Sequence, residues 1–187
     1  MIGKTKDKYK NYFLYFMMYS VFGWIYEVFL EVFVYGWGFS NRGILYGPYC
    51  PIYGVGALML IFTVNRLIDG KDLRYRLKML IPVFLLSALI ATAIELAATY
   101  LCEYFMGYWP WQTYADYKIN FQARIALSPS VRFGIGGVVI LYIIQPIFEK
   151  AVKGMGQETR ESVFSAVLLV FLLDIALFLI KNLNYLN

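Results

Sequence analysis

The sequence predicts an all-α, polytopic integral membrane protein, a helix bundle with about five transmembrane helices in a single domain over residues 1–187. Hydrophobic residues make up 60% of the chain and its mean hydropathy is +0.59, more apolar surface than a soluble fold of this length can bury. Five apolar stretches are separated by polar connections. Basic residues are concentrated in alternate connections, as in proteins whose loops face opposite sides of a membrane.

Each of the five stretches is long enough to be a membrane-spanning helix. At 1.5 Å per residue, ~20 residues cross the ~30 Å hydrocarbon core. The second stretch is the shortest and begins with proline, which suits the first turn of a helix. The predicted helices are Asn11–Tyr35, Pro51–Leu67, Met79–Tyr104, Ile125–Phe148 and Val163–Ile180.

The distribution of basic residues predicts the orientation. One set of connections carries 12 of the 17 basic residues: Lys4, Lys6, Lys8, Lys10, Arg66, Lys71, Arg74, Arg76, Lys78, Lys150, Lys153 and Arg160. Because lysine and arginine accumulate on the cytoplasmic side, the N-terminus is predicted inside and the C-terminus outside the cell (inner or plasma) membrane. This placement accounts for the net charge of +5 without nucleic acid as a partner.

Ionisable residues converge in the outer half of the predicted bundle. Helical spacing places Glu27 with Glu31 on one face, and Thr92, Glu95, Thr99 and Glu103 on another. Arg124, Ser128 and Arg132 form a basic stripe, and Asp174 lies at a similar depth. An unpaired charge near a helix centre costs ~2.5–3.5 kcal/mol, so these groups should face inward and find partners.

Arg124 and Arg132 are the natural partners for Glu95, Glu27 or Glu31, with Glu95 the first candidate for Arg132. Two interpretations of the cluster remain open at this point. The charges are either structural braces between helices or the lining of a water-accessible site.

Two outer connections, 36–54 and 107–122, are rich in glycine, proline and aromatic residues. Glycine and proline disfavour regular helix, yet the first connection is apolar, and we expect both connections to be re-entrant. Their tryptophans suit either an interfacial belt or an aromatic pocket. We expect a cavity that opens outward between the two connections, lined by Glu27, Glu31, Glu95, Glu103, Arg124 and Arg132.

Signatures of cofactor and metal chemistry are missing from the sequence. There is no histidine, and two cysteines are too few for a cysteine-built metal site. Walker, HExxH and nucleophile-elbow motifs are also missing. We therefore predict no metal and no cofactor, and no catalytic residue can be named. Whether Cys50 and Cys102 form a disulfide is left open.

Two blocks of residues resemble a known family. The segments Gly23–Glu27 and Asn41–Gly54, and a later block from Glu103 through Trp111 to Arg124, resemble the ABC-transporter type IV permease-like proteins. The resemblance covers about Tyr19 to Ile147. It implies a small bacterial multi-pass protein of the cell membrane.

The favoured functional hypothesis is a membrane transport component that binds a small polar or ionic solute. The chain has no ATP site, so ATP-driven transport would require a separate ATPase subunit, and five helices would be expected to form a homodimer in the lipid bilayer. The alternatives are a membrane-embedded enzyme acting on lipid headgroups or another amphiphile, and a non-catalytic binding or assembly subunit. The predicted ligand-binding residues are Glu27, Glu31, Asn41, Arg42, Glu95, Glu103, Trp111, Arg124 and Arg132.

Overall fold

The computed structural model describes residues 2–183, with side chains from 8 to 181. The side chains of Lys4 and Lys6, on which the predicted orientation partly rests, lie outside that range. Within it, four helices are long and apolar enough to cross a membrane, and a fifth apolar helix, Pro51–Leu67, is shorter. The four long ones are Lys8–Val34, Leu80–Met106, Leu127–Gly154 and Gln157–Lys181. The prediction of an all-α membrane protein with about five helices is confirmed, whereas its orientation stays a prediction.

Two of the long apolar helices include a π-helical turn. Lys8–Val34 ends in one, and Leu127–Gly154 has one in its middle. The α-helices are α1 (Ile2–Phe29), α2 (Pro51–Phe62), α3 (Leu73–Lys78), α4 (Leu80–Met106), α5 (Leu127–Val139), α6 (Gln145–Gly154) and α7 (Gln157–Leu183). The π-helical turns are Leu30–Val34, which follows α1, and Ile140–Ile144, which joins α5 to α6. Short 3-10 helices occupy Asn65–Leu67 and Gln112–Asp116.

The contacts divide the chain into two compact units. Unit 1 comprises Met1–Val55 with Phe148–Asn187, and unit 2 comprises Gly56–Ile147. In unit 1, α1 packs against α7, and in unit 2, α4 packs against α5. The prediction of a single domain stays a prediction.

The core of unit 1 is aromatic. Phe16 of α1 meets Phe171 of α7 edge to face, with ring centroids 5.5 Å apart. The connection after α1 enters the same core through Leu45 and Tyr49, both buried. A Cβ on Gly54 would lie 2.4 Å from Ser20 Oγ and 2.5 Å from Phe16, so glycine is needed where α2 begins beside α1.

In unit 2, glycines allow α5 to approach α4 closely. A Cβ on Gly134 would lie 2.6 Å from the Phe84 ring, and one on Gly137 would lie 2.2 Å from Ser87 Cβ. Small residues at such positions let apolar helices associate through van der Waals contact where lipid provides no hydrophobic drive. These contacts indicate that Gly134 and Gly137 allow the two helices to pack closely.

A two-stranded β-hairpin, which was not predicted, precedes α5. Strand β1 (Asn120–Phe121) pairs antiparallel with β2 (Ile125–Ala126). The turn between them places Gln122 at φ 52° and Ala123 at φ 56°, the left-handed conformation that both central residues of a type I′ turn require. The prediction that the helix begins at Ile125 is therefore wrong by two residues, because Ile125 and Ala126 bond to a neighbouring strand.

Candidate functional site

The nine predicted ligand-binding residues fall into two groups, one in each unit. The unit 1 group consists of Glu27, Glu31, Asn41 and Arg42; the unit 2 group consists of Glu95, Glu103, Trp111, Arg124 and Arg132. Contacts within each group are described separately below. The single cavity expected to contain residues of both groups stays a prediction.

Glu31 of the unit 1 group is buried in the π-helical turn after α1. Its carboxylate accepts hydrogen bonds from Ser40 Oγ at 2.9 Å to each oxygen. Arg42 Nη1 lies 3.4 Å from the same carboxylate. A charged group that the sequence places in a membrane helix is thus satisfied by the connection that follows that helix.

Glu27 and Asn41 join the two segments that carry the family resemblance in unit 1. Trp24 Nε1 donates to Asn41 Oδ1 at 2.7 Å, and Asn41 Nδ2 donates to the Tyr46 carbonyl oxygen at 2.9 Å. Glu27 accepts a hydrogen bond from the Tyr53 hydroxyl. A Cβ on Gly23 would lie 2.2 Å from the Tyr53 ring, so glycine at this position allows the ring to reach Glu27.

Asp174 was not among the predicted site residues, yet it organises the connection between α1 and α2. Its carboxylate, buried in α7, accepts hydrogen bonds from the backbone N–H groups of Tyr46 at 3.0 Å and Gly47 at 2.7 Å. The Tyr49 hydroxyl donates a third. The signal in the sequence was a single acid within the apolar stretch 163–180.

Cys50 lies at the end of this connection, and both cysteines of the chain are free thiols. Burial and the nearby Glu27 carboxylate raise the pKa of the Cys50 thiol, and Arg42 opposes the shift. Because the thiol is buried and a raised pKa favours its protonated form, we expect Cys50 to react slowly in the folded protein.

Arg124 is the centre of the unit 2 group. Its guanidinium carbon lies 4.3 Å from the centroid of Tyr100 and 4.2 Å from that of Trp109. Nη2 forms an ion pair with Glu103 Oε2 at 2.5 Å. The Arg124 side chain is 10% exposed, and among the described residues its Nε and Nη1 atoms have no hydrogen-bond partner.

The expected partners of Arg124 were Glu95, Glu27 and Glu31; the structure pairs it with Glu103. The sequence stripe placed Glu103 two turns beyond Glu95 on α4. The hairpin brings Arg124 to that end of α4, because it moves residues 120–126 out of helix. Extending α5 back through Arg124 as helix was the error that selected the wrong acid.

Two tyrosines of the connection before the hairpin bind Glu95 and Arg132, the other two charged residues of the unit 2 group. The Tyr114 hydroxyl donates to Glu95 Oε1 at 2.8 Å, and Arg132 Nη2 donates to the Tyr117 hydroxyl at 2.6 Å. The two tyrosine rings meet edge to face with centroids 5.6 Å apart. A direct Glu95–Arg132 pair stays a prediction, but both residues of that pair bind the same tyrosine pair.

The side chains of Trp109 and Trp111 form hydrogen bonds to the backbone of the unit 2 hairpin. Trp109 Nε1 donates to the Ala123 carbonyl oxygen and Trp111 Nε1 donates to the Arg124 carbonyl oxygen, both at 3.0 Å. One of these hydrogen bonds holds a central residue of the left-handed turn, and the other holds the residue that follows it. The two indole N–H groups therefore position the backbone at Ala123 and Arg124.

A largely apolar groove of about 270 Å³ lies along the hairpin and the start of α5. It is lined by Ile119, Asn120, Phe121, Ile125, Ala126, Leu127 and Ser130. None of the nine predicted residues is among these. The groove could not be predicted from the sequence, because its wall depends on the hairpin.

Sequence reasoning named most of the charged residues but missed their neutral partners. Tyr49, Tyr53, Tyr114 and Tyr117 each bind a carboxylate or a guanidinium. With 17 tyrosines in the chain, no spacing rule singles out these four. Within the side chains that the structure describes, no group of three or more His, Cys, Asp or Glu residues could hold a metal ion.

The long apolar helices and the charged groups between them define a multi-pass membrane protein. A model of the family described as "Putative ABC-transporter type IV" matches residues 14–179, and the chain belongs to that family. No curated protein and no solved structure matches the chain.

Proposed function

We propose that this protein is a membrane transport component that binds a small polar or ionic solute through the unit 2 group. The observation that carries the proposal is the buried guanidinium of Arg124, which forms one ion pair and retains donors at Nε and Nη1. Buried donors without an acceptor are costly, and an arginine fork matches a carboxylate or phosphate group. The solute would therefore offer a negatively charged or polar oxygen.

The surroundings of Arg124 support a site that selects its ligand. Tyr100 and Trp109 contact the guanidinium, which keeps it in one orientation before a ligand arrives. Glu103 balances part of the charge, so a ligand would be held weakly enough to leave again. A transport component needs this reversibility, whereas a structural brace gains from complete pairing.

The test is ligand-dependent stabilisation of the purified protein in lipid nanodiscs. Thermal unfolding would be followed with phosphate, acetate, glutamate, chloride and choline, each at equal ionic strength. We expect phosphate or a carboxylate to raise the Tm of the parent protein. Arg124→Gln should abolish that rise, and Arg124→Lys should weaken it because lysine lacks the planar fork.

Lys118→Gln is the matched control, since Lys118 is an exposed basic residue of the same connection. It should retain the ligand-dependent rise. If no oxyanion stabilises the parent protein, or if Lys118→Gln loses as much as Arg124→Gln, solute binding at Arg124 is contradicted.

The apolar groove favours a second candidate, a membrane-embedded enzyme acting on lipid headgroups or another amphiphile. The groove runs beside residues 120–126, the segment that contains Arg124, so an apolar chain and an anionic group could bind near one another. Incubating the purified protein with lipid extracts and following the lipids by mass spectrometry separates the candidates. Turnover of any lipid would favour the enzyme.

The family description is consistent with partners that the proposal requires. ATP-driven transport would need a separate ATPase subunit, and a pathway would be completed by a homodimer in the cell membrane. Native mass spectrometry of the protein purified from its own membrane tests both. A monomer with no bound ATPase would argue for a binding or assembly role without ATP-driven transport.

A further inference from the structure

Asp174 of unit 1 lies well inside the apolar length of α7. The apolar span of this helix ends at Lys181, seven residues beyond Asp174. At 1.5 Å per residue this is a depth of ~10 Å from the end of the span. Since the backbone N–H groups of Tyr46 and Gly47 bind the Asp174 carboxylate, their backbone must reach a similar depth. The middle of the connection between α1 and α2 therefore lies within the apolar layer.

The three donors around Asp174 have the arrangement of an oxyanion site. Two consecutive backbone N–H groups donate to the two different carboxylate oxygens, and the Tyr49 hydroxyl donates to one of these. Successive backbone N–H groups that converge in this way are a common anion-binding element of proteins. Their occupant in this structure is a carboxylate from the chain itself.

A cation contacts the side chain of one of the donor residues. Lys181 Nζ lies 5.5 Å from the centroid of the Tyr46 ring, one residue from the Gly47 N–H group. It is the one basic residue in the last turn of α7. A positive charge at this position attracts anions toward the donors that Asp174 occupies.

Three glycines with positive φ values lie between α1 and the residues that carry the donors. Gly36, Gly38 and Gly43 have φ values of 68°, 83° and 96°, a conformation that glycine adopts without strain. No heavy atom lies within 4 Å of a Cβ built on Gly36 or Gly38, so the backbone has room there. Gly43 lies against the buried Cys50, because a Cβ on Gly43 would be 3.2 Å from Cys50 Sγ.

We propose that residues 43–50 form a re-entrant strap whose donors at Tyr46, Gly47 and Tyr49 are an oxyanion-binding site. Asp174 occupies that site as an internal ligand and keeps the strap closed. A carboxylate or phosphate group of a solute exchanges with Asp174, and the strap opens. This inference concerns unit 1 and does not depend on ligand binding at Arg124.

Chemical rescue tests the site, with the native Cys50 thiol as the reporter. In protein whose Cys102 is replaced by serine, modification of Cys50 by N-ethylmaleimide is measured in nanodiscs. Asp174→Ala removes the internal carboxylate, and we expect Cys50 to react at least tenfold faster. In this variant the space of the missing carboxylate is vacant, so acetate or phosphate can bind the donors with the strap closed and should slow the reaction again. Chloride at equal ionic strength should not.

Two further variants make the result specific. Tyr49→Phe added to Asp174→Ala should weaken the rescue, because one of the three donors is removed. Asp116→Ala, which removes an exposed acid of unit 2, should leave Cys50 as slow as in the parent. Unchanged Cys50 reactivity in Asp174→Ala would overturn the strap. Faster reaction without rescue by either oxyanion would overturn the oxyanion site.

If Asp174→Ala does not fold, protein that retains Asp174 still decides the question. There an oxyanion competes with the internal carboxylate, so acetate or phosphate should accelerate Cys50 modification relative to chloride. Equal rates in all three salts would contradict the exchange. Acetate and phosphate arms compared at equal concentration show which class of oxyanion the site prefers.

Discussion

The central buried charges of units 1 and 2, Asp174 and Arg124, have different partners. Each unit also contains the other kind of contact, an ion pair at Glu31 in unit 1 and a tyrosine hydroxyl bound to Glu95 in unit 2. In unit 1 the acids Glu27 and Asp174 bind neutral donors, which are tyrosine hydroxyls and backbone N–H groups. In unit 2 the connection supplies a cation, and Arg124 pairs with Glu103 while stacking against two aromatic rings. Neutral donors leave the carboxylate charge in place, whereas an ion pair cancels it.

The comparison shows how a connection is fixed to the apolar helices of its unit. In each unit an aromatic segment follows one of the long apolar helices, and a buried charge holds that segment in place. The cost of a charge in an apolar environment is what selects one loop conformation over others. Removing the charged residue should therefore destabilise the conformation of the aromatic segment more than it destabilises the neighbouring helices.

The largest effect is expected in unit 1 from Asp174→Leu. The change leaves two backbone N–H groups and the Tyr49 hydroxyl without their acceptor, at ~1–3 kcal/mol for each buried group. We expect the free energy of unfolding in detergent to fall by ~3 kcal/mol or more. Asp116→Leu, at an exposed position, is the control. Equal losses for the two variants would mean that the donors around Asp174 find water.

Replacing Arg124 in unit 2 and Arg42 in unit 1 sharpens the comparison. Arg124→Gln should cost ~2 kcal/mol, since it removes a partly buried ion pair and two cation–π contacts. Arg42→Gln should cost less than ~1 kcal/mol, because Arg42 is partly exposed and Ser40 still donates to Glu31. Equilibrium unfolding of both variants measures the difference, and a larger loss for Arg42→Gln would reverse our account.

Neighbouring glycines of α5 test how closely unit 2 must pack. Gly137→Ala should destabilise by ~1–2 kcal/mol, since its Cβ would overlap Ser87, and overpacking of this kind forces the helices apart. Gly136→Ala is the matched control because nothing lies within 4 Å of its Cβ. It should be neutral or stabilising by up to ~1 kcal/mol through helix propensity. Melting curves that coincide would show that α5 adjusts freely.

The smallest effect is expected at the hairpin turn of unit 2. Ala123 has φ 56°, and a non-glycine residue there costs ~1 kcal/mol. Ala123→Gly should therefore raise the free energy of unfolding by ~0.5 kcal/mol, after allowing for the greater freedom of the unfolded chain. Ala115→Gly, in a 3-10 helix, should instead lower it. Destabilisation by both would mean that the turn is not strained.

The helices of both units could be predicted from the sequence, because length and hydropathy are local properties. The start of α2 at Pro51 is an example. The start of α7 is an exception, because this helix begins at Gln157, six residues before the predicted Val163. A second exception is the hairpin before α5. Ile125 and Ala126 are as apolar as the helix they precede, and only pairing with Asn120 and Phe121 shows that they are strand.

The candidate site was predictable in its charges and not in its contacts. Helical spacing placed Glu95 and Glu103 on one face of α4, and both bind residues of the following connection. Spacing could not identify Tyr114 and Tyr117, because residues of an irregular connection do not recur on one face at a helical or strand period. The same holds for the strap, where backbone N–H groups act and side-chain identity gives no signal.

By itself, the sequence determined that this protein lies in a membrane, how many apolar helices it has and where their charges fall. These properties follow from transfer free energies that add along the chain. Tertiary structure alone decided which groups meet: Tyr46 binds Asp174 across 128 positions of the chain, and Arg124 reaches Glu103 across 21. Such pairings are chosen because a buried charge must find a donor or a counter-charge, and the nearest suitable group in space is rarely the nearest in sequence.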